Sequence, residues 1–157
     1  MMAGQRVSRR RVLGGAVCGA AVAGGVPAAG AAPPHSGAPT PEFPRRVALQ
    51  LSAADATTVN NLLFNVVNVQ KRYGLDNVKV AVVAYAEGVR ALYRDSAPVP
   101  ERIESLLQYG VEFIACGSTL EAQKRVPGDL IAGITVVPSA IPELIERQLD
   151  GWVVLHP

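Results

Sequence analysis

Histidine and cysteine are scarce in this chain, with two of each among 157 residues. A zinc site takes three or four ligands at characteristic spacings, and these residues with the scattered carboxylates offer no such spacing. We therefore predict no metal and no cofactor. A hydrolytic triad needs a nucleophile, a base and a group that orients the base. His156 is the only histidine of the predicted domain, and we interpret it as a solvated side chain, with a Cys–His pair as the alternative.

The sequence also lacks a dinucleotide-binding loop and a membrane-spanning run, and these two absences exclude further classes of protein. The first predicted strand is followed by Ser52-Ala53-Ala54-Asp55 and not by a G-x-G-x-x-G loop, so no dinucleotide site is expected there. The apolar stretch at residues 12–26 is rich in glycine and shorter than the run of about 20 residues that spans a bilayer. Neither a nucleotide-dependent enzyme nor a membrane-anchored protein fits this pattern.

The N-terminal region has the order of an export signal. Four arginines precede the apolar stretch, and Ala29-Gly30-Ala31 follows it as a cleavage site of small residues. We predict a signal at residues 1–31 and a Pro/Ala-rich linker at residues 32–44. The segment Ser8-Arg9-Arg10-Arg11-Val12-Leu13 resembles the twin-arginine export motif. The resemblance implies export of the folded protein to the periplasm or another extracytoplasmic compartment.

Removal of the signal changes both the charge and the cysteine count. Four of the fifteen basic residues lie in it and none of the thirteen acidic ones, which leaves 11 against 13 and a net charge of −2. This charge gives no reason to expect a nucleic-acid partner, and because the apolar stretch is cleaved with the signal we expect no membrane anchor. Cys18 is lost with the signal, so Cys116 remains alone and cannot form an internal disulfide. It must be buried, paired with another chain or reactive.

In residues 45–157, segments with the hydrophobic pattern of a strand alternate with segments with that of a helix. This alternation is expected for one α/β domain. Short apolar runs predict strands at residues 47–51, 78–85, 111–115, 134–137 and 152–155. Helical spacing predicts helices near residues 55–73, 87–93, 100–109, 118–124 and 139–150. The first helix has an apolar stripe, consisting of Val59, Leu62, Leu63, Val66, Val69 and Tyr73. This order predicts a three-layer α/β/α sandwich with a mainly parallel five-stranded sheet.

Cys116 is the best candidate for chemistry. It ends the third predicted strand, at the sheet edge where open α/β folds bind their ligands. Gly117, Ser118 and Thr119 follow it and open a helix, whose backbone N–H groups would favour the thiolate. Four residues near the other strand ends are possible members of the site edge: Ser52, Tyr85, Gly88 and Ser139. The alternative is a packed thiol, because free cysteine is often buried.

Several segments in register resemble the DsrE/DsrF-like family of small α/β proteins. They are residues 111–120 (VEFIACGSTL), residues 136–140 (VVPSA), residues 143–148 ahead of Gly151-Trp152, Asn60-Asn61-Leu62-Leu63, and Gly88. The resemblance implies a DsrE-like fold and assembly into oligomers. In the sulfur-relay members, a cysteine at the position of Cys116 accepts sulfur as a persulfide and passes it on. Those members work in the cytoplasm, and some relatives have another residue at the position of Tyr85.

The resemblance implies a protein that binds or relays sulfane sulfur on Cys116, with a sulfur donor or acceptor protein as its partner, and the N-terminal signal adds the expectation that it is exported. If active, it would be a sulfur-transferase-like carrier and not a hydrolase or oxidoreductase. A homo-oligomer is expected in either case. The alternative is a non-catalytic binding or assembly module with a structural Cys116, in which Ile141, Leu144 and Trp152 contribute to the subunit contact.

Overall fold

The computed structural model describes residues 37–157, which belong to one compact unit. The predicted signal, its cleavage site and the first part of the linker lie outside the described residues. The sheet has five parallel strands in the order β4-β3-β2-β1-β5. The predicted α/β fold is thereby confirmed.

The helices and strands follow the predicted order along the chain. They are β1 (Arg45–Leu51), α1 (Ala56–Tyr73), β2 (Val78–Ala84), α2 (Pro100–Gln108), β3 (Glu112–Cys116), α3 (Gly117–Ala122), β4 (Thr135–Val137), α4 (Ala140–Leu149) and β5 (Val153–Leu155). The segment predicted as a helix at residues 87–93 is a 3-10 helix, Ala86–Leu92, which we call the 86–92 turn. Two shorter 3-10 turns lie at Leu75–Asn77 and Pro127–Asp129.

The strand order determines which helices share a face of the sheet. From β1 to β4 the chain steps in one direction, so right-handed crossovers place α1, α2 and α3 on the same face. The connection from β4 to β5 runs back across the sheet and places α4 on the other face. There α4 packs against β2, β3 and β5. All five strands therefore end at one edge, where α3 and α4 begin.

Helix α1 shows how local sequence fixes an element. Asp55 caps it by accepting a hydrogen bond from the Thr58 N–H at 2.9 Å, and Gly74 ends it with a φ of 87°. The predicted stripe is right for its first four members, which are buried. It is wrong at Tyr73, which is 36% exposed. Gln70 is buried instead, and its amide donates to the Tyr109 carbonyl at 3.1 Å.

Helix α4 presents two distinct apolar faces. Ala140 and Leu144 are buried against the sheet, so the expectation that Leu144 contributes to a subunit contact is wrong. A second set of apolar side chains recurs every four residues and remains at the surface. This α4 stripe consists of Ile141, Ile145 and Leu149, exposed by 51%, 53% and 76%. Trp152 is half-buried beneath the Arg147 guanidinium, which lies 4.4 Å from the ring centroid.

Candidate functional site at Cys116

Cys116 lies where two helix N-termini meet. It is the last residue of β3 and the residue before α3, and its register partner on β4 is Val137. Because α4 begins three residues after Val137, its first turn reaches the same place. Gly117 permits this approach, since a Cβ there would lie 2.9 Å from the Val137 carbonyl oxygen. The positive ends of both helix dipoles are therefore close to the sulfur.

The hydrogen bonds on the sulfur favour its ionised form. The Ser118 hydroxyl lies 3.1 Å from the Cys116 sulfur, and the Ala140 N–H donates to it at 3.4 Å. Burial by itself raises the pKa of the thiol. Hydrogen bonds from the Ser118 and Thr119 hydroxyls and from the Ala140 and Thr119 N–H groups outweigh burial, and they lower the pKa from 9.0 to about 7. About half of the thiol is ionised at pH 7 when its pKa is about 7.

The same sulfur is poorly accessible. Cys116 is 4% exposed and belongs to the hydrophobic core, and it is a free thiol. A cysteine packed only against apolar groups would have a raised pKa. The polar donors on this sulfur therefore distinguish it from a buried hydrophobe. The reactivity of the thiol therefore depends on whether a reactant can reach the sulfur.

The three residues predicted to stabilise an anion contribute in different ways. Ser118 acts through its hydroxyl, because its backbone N–H donates to the Pro138 carbonyl at 3.1 Å. The hydroxyl and the N–H of Thr119 both lower the pKa of Cys116, and the hydroxyl oxygen accepts a hydrogen bond from the Ala86 N–H at 3.3 Å. Gly117 supplies space for the loop after β4.

Ala140 is the contact residue that the sequence analysis missed. Ser139, predicted at the site edge, occupies the N-cap position of α4, and its side chain makes no capping hydrogen bond. The donor is the next residue, Ala140, through its backbone. The predicted convergence of the loops after β3 and β4 could have indicated a contact with Cys116. The identity of the donor could not be predicted, because an alanine side chain does not indicate that its backbone N–H binds a sulfur.

The other predicted edge residues contact or follow the end of β1. The Tyr85 N–H donates to the Leu51 carbonyl at 3.0 Å, and its hydroxyl donates to Gln50 at 2.9 Å. Gly88 packs so closely on β1 that a Cβ there would lie 2.0 Å from the Leu51 oxygen. Ser52 follows β1 and lies 3.4 Å from His156 Nε2. Ser52 follows β1, which is two strands, about 10 Å, from β3, whereas Tyr85 and Gly88 follow β2, the strand beside β3.

The alternative of a Cys–His pair is ruled out by the strand order. His156 follows β5, which is separated from β3 by β1 and β2, so about 14 Å lie between those strands. Among residues 37–157 there is no group of three His, Cys, Asp or Glu side chains that could hold a metal ion. The same residues contain no helix long and apolar enough to cross a bilayer.

Comparison with models of protein families shows to which family the chain belongs. The model of the DsrE/DsrF-like family matches residues 33–157. The chain belongs to the DsrE/DsrF-like family. A comparison with functionally curated proteins finds no match.

Three solved structures support the fold of this DsrE/DsrF-like chain. The protein of unknown function MTH1491 from Methanobacterium thermoautotrophicum is 34% identical, with a TM-score of 0.69, over 72% of this chain and 99% of that one. The ychN protein from E. coli is 17% identical, with a TM-score of 0.62, over 72% and 99%. The conserved protein of unknown function BT1422 from Bacteroides thetaiotaomicron is 23% identical, with a TM-score of 0.58, over 71% and 94%. At these identities the last two show the fold alone.

Proposed function

We propose that this DsrE/DsrF-like protein carries sulfane sulfur as a persulfide on Cys116. The observation that supports it is the pair of hydrogen bonds on the sulfur, from the Ser118 hydroxyl at 3.1 Å and the Ala140 N–H at 3.4 Å. These donors stabilise a thiolate, which is the nucleophilic form of cysteine. Membership of a family that is generally linked to sulfur relay agrees with this chemistry.

The transfer needs no external oxidant or reductant. The Cys116 thiolate attacks the outer sulfur of a donor persulfide, a new S–S bond forms at Cys116, and the donor's S–S bond breaks. The electron pair leaves with the donor thiolate. An acceptor thiolate then attacks the outer sulfur on Cys116, and the Cys116 thiolate is released as the leaving group. Its low pKa, about 7, makes it a good leaving group in this second step.

Three further features belong to the same proposal. The chain is exported through the twin-arginine route and is cleaved before Ala32, which follows from the order of charge, apolar run and small residues in the sequence. The mature protein forms a homo-oligomer, for which the exposed α4 stripe is the favoured contact. Its donor or acceptor is a second, thiol-bearing protein.

A second candidate function is an assembly module in which Cys116 is structural. The observation that favours it is the 4% exposure of Cys116 together with its place in the core. In this case the hydrogen bonds from Ser118 and Ala140 satisfy a buried polar sulfur and tie α3 and α4 together. The two candidates differ in whether the native thiol can react.

The decisive experiment is the intact mass of the exported protein after brief exposure to polysulfide, followed by alkylation of unreacted thiol. We expect the mass to rise by added sulfur that a reductant removes, because a thiolate at neutral pH attacks polysulfide readily. The same spectrum shows whether the mature chain begins at Ala32. Cys116→Ala and Cys116→Ser should take up no sulfur. Ser105→Ala, at an exposed serine on α2, should take it up like the unmodified protein.

Two results would overturn the sulfur-carrier proposal. One is a native thiol that neither gains sulfur nor reacts with the alkylating reagent while the protein is folded, which would favour the assembly module. The other is sulfur uptake that persists in both Cys116 variants, since Cys116 is the only cysteine of the predicted mature chain. A circular-dichroism spectrum of each variant shows whether the fold is retained.

A further inference from the structure

Helices α1 and α2 are separated by a groove that shares no residue with the site at Cys116. The two helices run side by side in the same direction, since Arg102 donates to Asn60 near their beginnings and Gln70 donates to the Tyr109 carbonyl near their ends. The groove between them has a volume of about 620 Å³. Pockets that bind small molecules have volumes of about 300–1,000 Å³. The groove is therefore large enough for a small ligand.

Four apolar side chains line the groove. Leu106 is buried and Val67 is half-buried, whereas Leu75 and Tyr109 are 53% and 58% exposed. The buried side chains therefore form the base of the groove, and the exposed ones form its rim. An apolar body lying in the groove would remove the surface of Leu75 and Tyr109 from water, which favours its binding.

Gln70 brings an unpaired hydrogen-bond acceptor to this groove. It is 8% exposed and is the one buried polar residue of residues 37–157. Its Nε2 donates to the Tyr109 carbonyl at 3.1 Å, which fixes the amide and directs Oε1 elsewhere. Within residues 37–157 no group donates to Oε1, and this oxygen is not sealed from solvent, so it faces the groove that Gln70 lines. Because buried polar groups are nearly always hydrogen-bonded, this oxygen favours a ligand with an N–H or O–H donor.

The charge beside Gln70 is positive. Lys71 follows it on α1, lines the groove and is exposed, and among residues 37–157 no carboxylate lies within ion-pair distance of its ammonium group. Glu101 and Arg102 line the groove near the beginning of α2, and their opposite charges cancel there. An anionic group of a ligand is therefore favoured at Lys71.

We propose that the groove between α1 and α2 binds a small amphiphile that has an apolar body, an anionic head and a hydrogen-bond donor next to that head. The apolar body covers Leu75, Leu106 and Tyr109, the donor binds Gln70 Oε1, and the head lies at Lys71. None of these residues belongs to the site at Cys116. The inference therefore does not depend on the sulfur-carrier function.

The test is a fluorescence titration of the folded, full-length mature protein with two dyes that differ in one group. Anilinonaphthalene sulfonate has an aromatic body, an N–H donor and a sulfonate. N-phenylnaphthylamine has the same body and donor and carries no charge. We expect both dyes to bind saturably, with one molecule per chain, and the sulfonate dye to bind more tightly because of Lys71.

Three substitutions test the three parts of the site. Lys71→Glu should weaken binding of the sulfonate dye about tenfold and leave the neutral dye unchanged, because a repulsion replaces an attraction. Tyr109→Ala removes one wall of the groove and should weaken both dyes about fivefold. Gln70→Met removes Oε1 and should also weaken both dyes, because each carries the N–H. The matched control is Lys124→Glu, at an exposed lysine outside the groove, which should bind both dyes like the unmodified protein.

Several results would overturn this inference. One is the absence of saturable binding, and another is an equal effect of Lys71→Glu and Lys124→Glu on the sulfonate dye. Binding unchanged in Tyr109→Ala and Gln70→Met would place the dyes elsewhere, for example on the α4 stripe. Circular dichroism shows which variants fold, and where Gln70→Met does not, the two variants at exposed positions decide. Dye that binds Ile145→Glu and not the unmodified protein would show that a second copy of the chain fills the groove in place of an amphiphile.

Discussion

At the scale of single residues, two glycines determine how closely the backbone approaches the site. Gly117 lets α3 begin against the loop after β4, and Gly88 lets the 86–92 turn rest on the end of β1. Both lie beside carbonyl groups of a neighbouring strand, which cannot move aside without disturbing the sheet. The requirement at each position is therefore for space, and neither glycine has a positive φ.

We expect Gly88→Ala to lower the free energy of unfolding by about 2–4 kcal/mol. The added Cβ would lie 2.0 Å from the Leu51 oxygen and 2.5 Å from its carbonyl carbon, and these are backbone atoms. Urea unfolding followed by circular dichroism measures the change. Gly128→Ala is the matched control, because a Cβ there has nothing within 4 Å. A Gly88→Ala protein as stable as the control would show that the turn can move away from β1.

At the scale of elements, helix N-termini carry both structure and chemistry. The termini of α3 and α4 point at a sulfur, and the terminus of α1 points at a carboxylate. Asp55 accepts from the Thr58 N–H at 2.9 Å, and this hydrogen bond lowers the pKa of Asp55 below 3.8. A helix terminus thus favours the ionised form of whichever acid faces it.

We expect Asp55→Ala to lower the thermal unfolding midpoint at pH 7, because α1 loses its cap. The pKa of Asp55 is lower in the folded protein than in the unfolded chain. The ionised cap therefore stabilises the fold above pH 3.8 and loses this effect as the pH falls through the folded pKa. The difference between Asp55→Ala and the unmodified protein should shrink toward about pH 2. Asp55→Asn, which keeps a capping oxygen without charge, should lie between Asp55→Ala and the unmodified protein at pH 7. An equally large Asp55→Ala effect at both pH values would argue against a charged cap.

These elements show which features of the fold and of the site could be predicted from the sequence. Strand positions and the placement of Cys116 at a strand end followed from apolar runs and the residues after them. The hydrogen bonds from Ala140 to Cys116 and from Gln123 to the Ala86 carbonyl did not, because they depend on which strand lies beside β3 and on how the 86–92 turn folds back on α3. Leu144 and Ile141 differ by less than one helical turn, yet one is buried and the other is exposed. Apolar character alone could not separate them.

At the scale of the whole molecule, α4 is the only α-helix of residues 37–157 on its side of the sheet. Three helices cover the opposite face, whereas α4 must shield its face and also exposes the stripe of Ile141, Ile145 and Leu149. A stable interface buries about 1,200–2,000 Å² in total, so this stripe would be the centre of a subunit contact and not the whole of it. A second copy of the chain offers an equally apolar stripe for such a contact.

The proposed homo-oligomer predicts that charge on the α4 stripe separates the subunits. In Ile145→Glu and Leu149→Glu, each interface would bury a carboxylate without a partner, which disfavours association. Light scattering coupled to size exclusion should give the mass of an oligomer for the unmodified protein and of a monomer for both variants. Val126→Glu is the matched control, because Val126 is 60% exposed on the segment after α3, and this variant should remain an oligomer. A monomeric unmodified protein would remove the homo-oligomer, whereas oligomers in all four proteins would place the contact elsewhere on the surface.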